Sequence, residues 1–304
     1  MRQKICEALV ARAEKPNLVF LTGDLGFMAL EPLRDRLGDR FVNCGVAEQN
    51  MVSVAAAMAK EGLEVWVYSI APFCYARAFE QIRNDICMHK LPVRLIGNGG
   101  GYGYGVMGPT HHAIEDYGVL LTLQGMRVFT PAFNDDIPTV VALAGNIDAP
   151  CYIRLGRDER AAGTVAPPYA AWRRLSKGDG SVVVTLGPLS SSVHSTLAEI
   201  GEPRPDVWSV SELPLALSEM PADFVERVSE VGRLCVIEEH VGHGGLGSML
   251  CRWIVESGIT LKAFRHLHAL GYPTPRSGSQ AYLRRQSGLD QESIRRAVIT
   301  LGCR

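Results

Sequence analysis

The sequence predicts an α/β protein of two domains, each built on a mostly parallel sheet with helices on both faces. Three observations predict it: short unbroken apolar runs that recur along the chain, helical stretches between them, and a lapse of this alternation around residues 161–177. A strand buried on both faces reads as a continuous apolar run, and helical crossovers between such strands make the sheet parallel. With 304 residues, 47% of them hydrophobic and 21% charged, the chain is long enough for two cores.

An amphipathic stretch at 2–14 leads into Leu18-Val19-Phe20-Leu21-Thr22, which Gly23-Asp24 ends as a buried strand. Further strands are expected at 65–68, 93–96, 127–130 and 151–154, with helices at 47–60, 73–85, 114–124 and 135–144. Sheets of this kind hold ligands beyond the carboxyl ends of their strands. Asp24, the helix start at Glu48, Ser69 to Phe73, the glycine loop at 97–105 and Arg157 all fall on that edge. Gly163, Pro167 and Pro168 mark a surface linker. The domains are therefore expected at 1–165 and 180–304, with the linker at 166–179. The second domain carries strands at 182–185, 207–210, 234–237 and 261–264 and helices near 189–199, 245–257 and 291–301. There is no repeat and no low-complexity segment.

Composition excludes several classes. Thirty-one basic against thirty-two acidic residues give a formal charge of -1, with no basic cluster to follow a phosphate backbone, so no nucleic acid partner is expected. No apolar stretch approaches a membrane span, and the first residues carry charge without a leader's apolar core, so a cytoplasmic protein is expected. The eight cysteines form no Cys-x-x-Cys pair and sit mostly among apolar neighbours, which reads as reduced packing thiols.

Two motifs carry acid/base chemistry: Asn43-Cys44-Gly45-Val46-Ala47-Glu48-Gln49-Asn50 and Gly108-Pro109-Thr110-His111-His112. Glu48 heads a helix rich in Val, Met and Ala. In a first helical turn a Glu is commonly just a favourable dipole partner. Here the flanking small residues allow a close approach, and burial would keep a proton on the carboxyl.

With Arg77-Ala78-Phe79-Glu80-Gln81-Ile82-Arg83 and Glu115-Asp116 added, the three motifs resemble transketolases. The similarity is to their C-terminal half, the pyrimidine-binding domain plus the C-terminal domain, and runs over essentially the whole chain. The resemblance implies the thiamine diphosphate pyrimidine-binding fold and an enzyme in which the carboxyl of Glu48 bonds the aminopyrimidine of thiamine diphosphate and promotes its imino form. It places Asp24 at the cofactor, and an aromatic stacked on the ring, Phe73 or, with the alignment shifted, Tyr75. His111 would face substrate oxygens, and His112 either joins it or serves as a plain loop residue. Arg157 would hold a substrate phosphate through its guanidinium fork. Gln49 and residues 77–83 read as packing and subunit contacts.

Departures from the family pattern put the substrates in question. Met107 stands where transketolases of sugar metabolism carry an aspartate reading a donor hydroxyl. The loop Gly97-Asn98-Gly99-Gly100-Gly101 lacks the family's phosphate-contacting histidine, and Met28 replaces a serine. Thioethers are poor hydrogen-bond acceptors.

Other patterns fail. Gly242-His243-Gly244-Gly245-Leu246-Gly247 mimics a dinucleotide fingerprint but lacks the following acidic residue. His240 with His243, and His266 with His268, lack an acidic cluster for a metal. Gly178-Asp179-Gly180 resembles the family's diphosphate motif, yet no asparagine follows Asn146, so it reads as a turn. The resemblance therefore implies a split enzyme. Mg2+ or another divalent cation would be ligated by a separate N-terminal transketolase subunit, in an α2β2 heterotetramer, and this chain alone would be inactive. The expected reaction is transfer of a two-carbon ketol unit from a ketose-type donor to an aldehyde. A decarboxylating acyloin synthase resembling deoxyxylulose phosphate synthase is the alternative, ahead of a 2-oxo acid dehydrogenase subunit. A non-catalytic assembly subunit is a third class, against which the retention of Glu48 and His111 speaks.

Overall fold

The computed structural model describes residues 1–160, 163–215, 220–272 and 277–302. Cys303, expected as a packing thiol, and residues 161 and 162, where the alternation lapses, lie outside the described residues. Strands β1 (Leu18–Thr22), β2 (Phe41–Asn43), β3 (Glu64–Ile70), β4 (Val93–Asn98), β5 (Arg127–Phe129) and β6 (Cys151–Leu155) occupy the first half. Strands β7 (Trp172–Ser176), β8 (Val182–Leu186), β9 (Asp206–Val210), β10 (Glu212–Leu213), β11 (Arg233–Val241) and β12 (Ala263–Ala269) occupy the second. One sheet has the order β10-β5-β6-β4-β3-β1-β2, the other β12-β11-β8-β9-β7. Both are parallel except at one edge, where β10 runs against β5 and β7 against β9. The α/β class with two mostly parallel sheets is thus what the chain adopts.

Strand β1 shows why these runs become central strands. Leu18 and Phe20 pack into a cluster with Ile5, Leu9, Ile137 and Val140. Val19 and Leu21 point the other way, toward Met51, Val52 and Ala55 of helix Glu48–Lys60. Every β1 residue is buried, and each large apolar side chain so buried contributes about 1.5–3 kcal/mol. The Met51 cluster continues without a break into Val182, Val184, Trp208 and Val236 of the second sheet. The two sheets therefore share a core.

The structure differs from the expectation at several elements. Trp172–Ser176, inside the 166–179 stretch read as linker, is an edge strand of the second sheet. The expected helix 73–85 is broken into Ala71–Tyr75, Phe79–Gln81 and a π-helical turn Ile82–Cys87. The helix at 114–124 shrinks to Asp116–Leu120, and the strand at 261–264 begins only at Ala263. Seven described cysteines are free thiols, and burial pushes those of Cys74, Cys151 and Cys235 up to about 12, so they pack as small apolar groups. No described helix is long and apolar enough to cross a membrane.

Candidate active site

Glu48 opens helix Glu48–Lys60 at the carboxyl edge of the first sheet and is only 1% exposed. Its Oε2 accepts a hydrogen bond from Arg77 Nη1 at 2.7 Å, and its Oε1 accepts one from Ser69 Oγ at 3.4 Å. Gly23 supplies bare backbone beside it: a Cβ there would stand 3.6 Å from the Glu48 side chain. The Arg77 guanidinium also lies 4.2 Å over the ring of Phe73. One cation therefore bridges a buried acid and an aromatic face. Arg77, read from sequence as a packing or subunit-contact residue, instead stands inside the constellation. Its one sequence signal was the helical spacing from Phe73.

The two aromatic candidates separate. Phe73 is half-buried, with His111 in edge-to-face contact at 5.0 Å between ring centroids. Tyr75 is buried, and its hydroxyl donates to Glu115 Oε2 at 3.2 Å, away from that group. The histidines separate as well. His111 closes the 3-10 turn Pro109–His111 after Gly108, whose φ of 88° is a left-handed conformation that favours glycine. Thr110 Oγ1 lies 3.0 Å from His111 Nδ1, and Tyr104 is a second edge-on neighbour at 6.4 Å. His112 turns inward, 4% exposed, between Tyr102 at 5.2 Å and Tyr272 at 6.1 Å. Neither of its ring nitrogens has a partner among the described residues, and burial holds its pKa below the ordinary imidazole value. The structure does not bring His112 to Phe73.

Asp24 sits past β1 with φ of 58°, and its carboxylate accepts from Asn43 Nδ2 at 2.9 Å. Asn43 Oδ1 in turn accepts from the backbone N–H groups of Asp24 and Gly45, each at 3.0 Å, so one amide fixes both loops. Met107 ends a 3-10 turn and is exposed, as are Phe27, Met28, Val46 and Val106. Arg157 follows β6 and lines a cavity of about 380 Å³ with Arg2, Asn98 and Tyr104.

The discarded motifs have structural uses. Glu238 accepts from the backbone N–H groups of Leu246 and Gly247, so a carboxylate of the chain itself takes the helix end where the glycine run would hold a phosphate. Gly178 and Gly180 pack against the carbonyls of Arg204, Pro203 and Pro205, with no room for a Cβ. His266 lies 2.7 Å from Glu238, and His240 accepts from Gly118 N–H at 3.1 Å. Among the described residues no group of three or more His, Cys, Asp or Glu could hold a metal ion.

A buried acid, an aromatic face and a histidine thus meet at the carboxyl edge of a mostly parallel sheet. The family follows from comparison with known proteins. The model of the transketolase pyrimidine-binding domain matches residues 1–161, and the chain belongs to that family, whose members depend on thiamine diphosphate. One of the subunits of the apulose-4-phosphate transketolase of Actinobacillus succinogenes is 29% identical over 270 residues, 87% of this chain and 86% of its own length. A putative transketolase C-terminal section from Methanocaldococcus jannaschii is 28% identical over 98% of this chain and 95% of its own. A solved split-gene transketolase, described as an inactive β4 tetramer, superposes with a TM-score of 0.80 at 27% identity, covering 99% of this chain and 98% of its own. The two-sheet architecture is thus that of the transketolase pyrimidine-binding and C-terminal domains.

Proposed function

We propose that this chain is the C-terminal subunit of a split, thiamine diphosphate-dependent transketolase that transfers a two-carbon ketol unit from a ketose-type donor to an aldehyde. The observation that carries this reading is the arrangement of Glu48, Phe73 and Arg77. A guanidinium is a flat, hydrogen-bonding group, and here it stacks on Phe73 while bonding Glu48. A ring with an exocyclic amine would satisfy the same two residues in the same way, so the residues present fit an aminopyrimidine. Thiamine diphosphate, when bound, supplies the carbanion that cleaves the bond beside a ketose carbonyl.

The chain's own residues do the rest. Glu48 bonds the ring nitrogen, Phe73 fixes the ring plane, and Asp24 lies on the loop beside them. His111, edge-on to Phe73, faces the substrate oxygens, where an imidazole stabilises a developing alkoxide. Arg157 takes the far end of the substrate. Met107 leaves the donor end without the acceptor that sugar-metabolising relatives place there, which favours a donor other than the common pentose phosphates. The divalent cation and the diphosphate grip belong to a separate N-terminal subunit, and the two chains assemble as an α2β2 heterotetramer. The exposed apolar residues Phe27, Met28, Val46, Val106 and Met107 supply a surface for that subunit to cover. The structural neighbour's inactive β4 assembly supports the need for it.

The test is to co-express the chain with its N-terminal counterpart and assay ketose phosphates and pyruvate in parallel. Thiamine-dependent ketose cleavage is expected, and Glu48→Gln should lower it by about 10²–10⁴-fold. Carbon dioxide release without ketose cleavage would establish the acyloin synthase instead. Unchanged turnover in Glu48→Gln would make the chain an assembly subunit.

A further inference from the structure

We propose that Glu115 is a positioning residue: its carboxylate bolts the helix that carries Phe73 to the segment that carries His111, a role that rests on the function proposed above. Its two oxygens are taken one each by two phenols. Tyr75, the last residue of helix Ala71–Tyr75, donates its hydroxyl to Oε2 at 3.2 Å, and Tyr272, beyond β12, donates to Oε1 at 3.2 Å. Among the described residues no cation pairs with Glu115, and the Tyr75 bond is the one hydrogen bond that joins this helix to residues 108–116. Burial first, then the Asp116 and Glu115 carboxylates, raise the Tyr75 phenol above its ordinary pKa, and burial and Glu115 raise that of Tyr272. Both hydroxyls therefore keep the protons they donate. Hydrogen bonds to a carboxylate are roughly twice as strong as those between neutral groups, which suits a fastening role.

The placement of His111 needs such a bolt. Its ring meets Phe73 edge-on at 5.0 Å, and its one hydrogen-bond neighbour among the described residues, Thr110 Oγ1 at 3.0 Å, lies on the same short turn. The ring's position is thus set by the backbone that carries it. Two residues past His111, Ala113 exchanges backbone bonds with Gly101 at 2.7 and 2.8 Å, which pins the segment to the glycine loop. Two residues further on, Glu115 pins it to the helix. The second sheet holds the other end of the bolt: the Tyr102 hydroxyl donates to Gly271 O at 2.7 Å, beside Tyr272, whose ring stacks on His112 at 6.1 Å. The spacing between Phe73, the proposed seat of the cofactor ring, and His111 therefore runs through one carboxylate. A misplacement of about 1 Å in a reacting constellation can cost about 10²-fold in rate.

The first test is magnetic resonance on the full chain with isotopically labelled histidines, and it needs neither cofactor nor partner. The Phe73 ring current shifts the His111 ring protons, whose resonance is assigned by its loss in His111→Ala. In Glu115→Ala and in Tyr75→Phe that shift should shrink, moving the resonance toward its position in the unfolded chain. Glu115→Gln, whose amide can accept from one phenol and donate to the other, should keep most of it. In the reconstituted enzyme, Glu115→Ala should lower kcat by about 10–100-fold with the donor KM little changed, and Glu115→Gln by less. Once His111 is already alanine, adding Glu115→Ala should lower kcat no further, because the group it aims is gone. An unmoved His111 resonance in both Glu115→Ala and Tyr75→Phe would overturn the proposal, as would full additivity of the two losses in kcat, the mark of a merely structural residue. A chain that shows the expected resonance changes but no thiamine-dependent turnover with its counterpart would refute the proposed function while the bolt stands.

Discussion

At the residue scale the chain's least expected contact is the one between Arg77 and Glu48. A carboxylate that is 1% exposed needs a counter-charge, and the only other side chain bonding it among the described residues is Ser69, whose hydroxyl lies at 3.4 Å. Removing the guanidinium strands a buried charge, which costs more than the pair itself contributes. Arg77 is itself 42% exposed, so water recovers part of that loss. Arg77→Ala is therefore expected to destabilise the isolated chain by about 1–3 kcal/mol. Glu48→Gln, which deletes the charge but keeps the shape, should restore most of the loss when combined with it. Arg77→Lys should fall between, because an ammonium keeps the charge and loses the flat face over Phe73. Chemical denaturation of the parent and these variants measures the coupling. Additive losses would show that Arg77 acts through packing alone.

At the scale of elements, what the sequence made legible follows burial on two sides. Leu18–Thr22 and Val182–Leu186 read as strands because every position is covered, whichever face it points to. Trp172–Ser176 mixes apolar and charged residues on an antiparallel edge, so composition hid it among linker residues. The stretch 73–85 kept apolar residues at near-helical spacing through Phe73, Ala78 and Ile82, and that spacing cannot report breaks made by tertiary packing. The motif residues of the site were legible in type and edge, but Arg77 against Glu48, and the inward turn of His112, come from pairings far apart in the chain. The loop ending in His112 has a consequence for pH. Burial holds the imidazole neutral, below its ordinary pKa, so the unfolded chain binds the extra proton first as pH falls. The stability due to neutral His112 is thus fully present above about pH 6.5 and is lost as pH drops below it toward the folded value. His194, lowered by burial too, adds a background of the same sign. In thermal unfolding across pH 7.5 to 5, His112→Phe, which keeps an aromatic between Tyr102 and Tyr272, should lose less melting temperature than the parent protein. A parent and variant with parallel profiles would remove His112 from the acid response.

The whole molecule behaves as one body if its two sheets are joined as the contacts indicate. The shared cluster running from Met51 to Val236 is one bond, and a buried polar knot is a second. Arg284, on helix Gln280–Gln286, donates to Glu239 of β11 at 2.6 Å and to Glu159, which follows the first sheet, at 2.8 Å. Glu239 also accepts from the backbone N–H of Tyr102, in the glycine loop that leads to His111. The knot therefore ties the second sheet to the loop that carries the histidine. Arg284→Met would leave Glu239, 5% exposed, facing that N–H and the Gln280 amide alone among the described donors, and breaking a buried pair in this way costs about 3–5 kcal/mol. Because the apolar cluster remains, unfolding should still occur in one transition, shifted to lower denaturant. Adding Glu239→Gln should recover much of the shift by removing the stranded charge. Two separate transitions in Arg284→Met would show instead that the ion pairs, and not the shared core, make the two sheets cooperate.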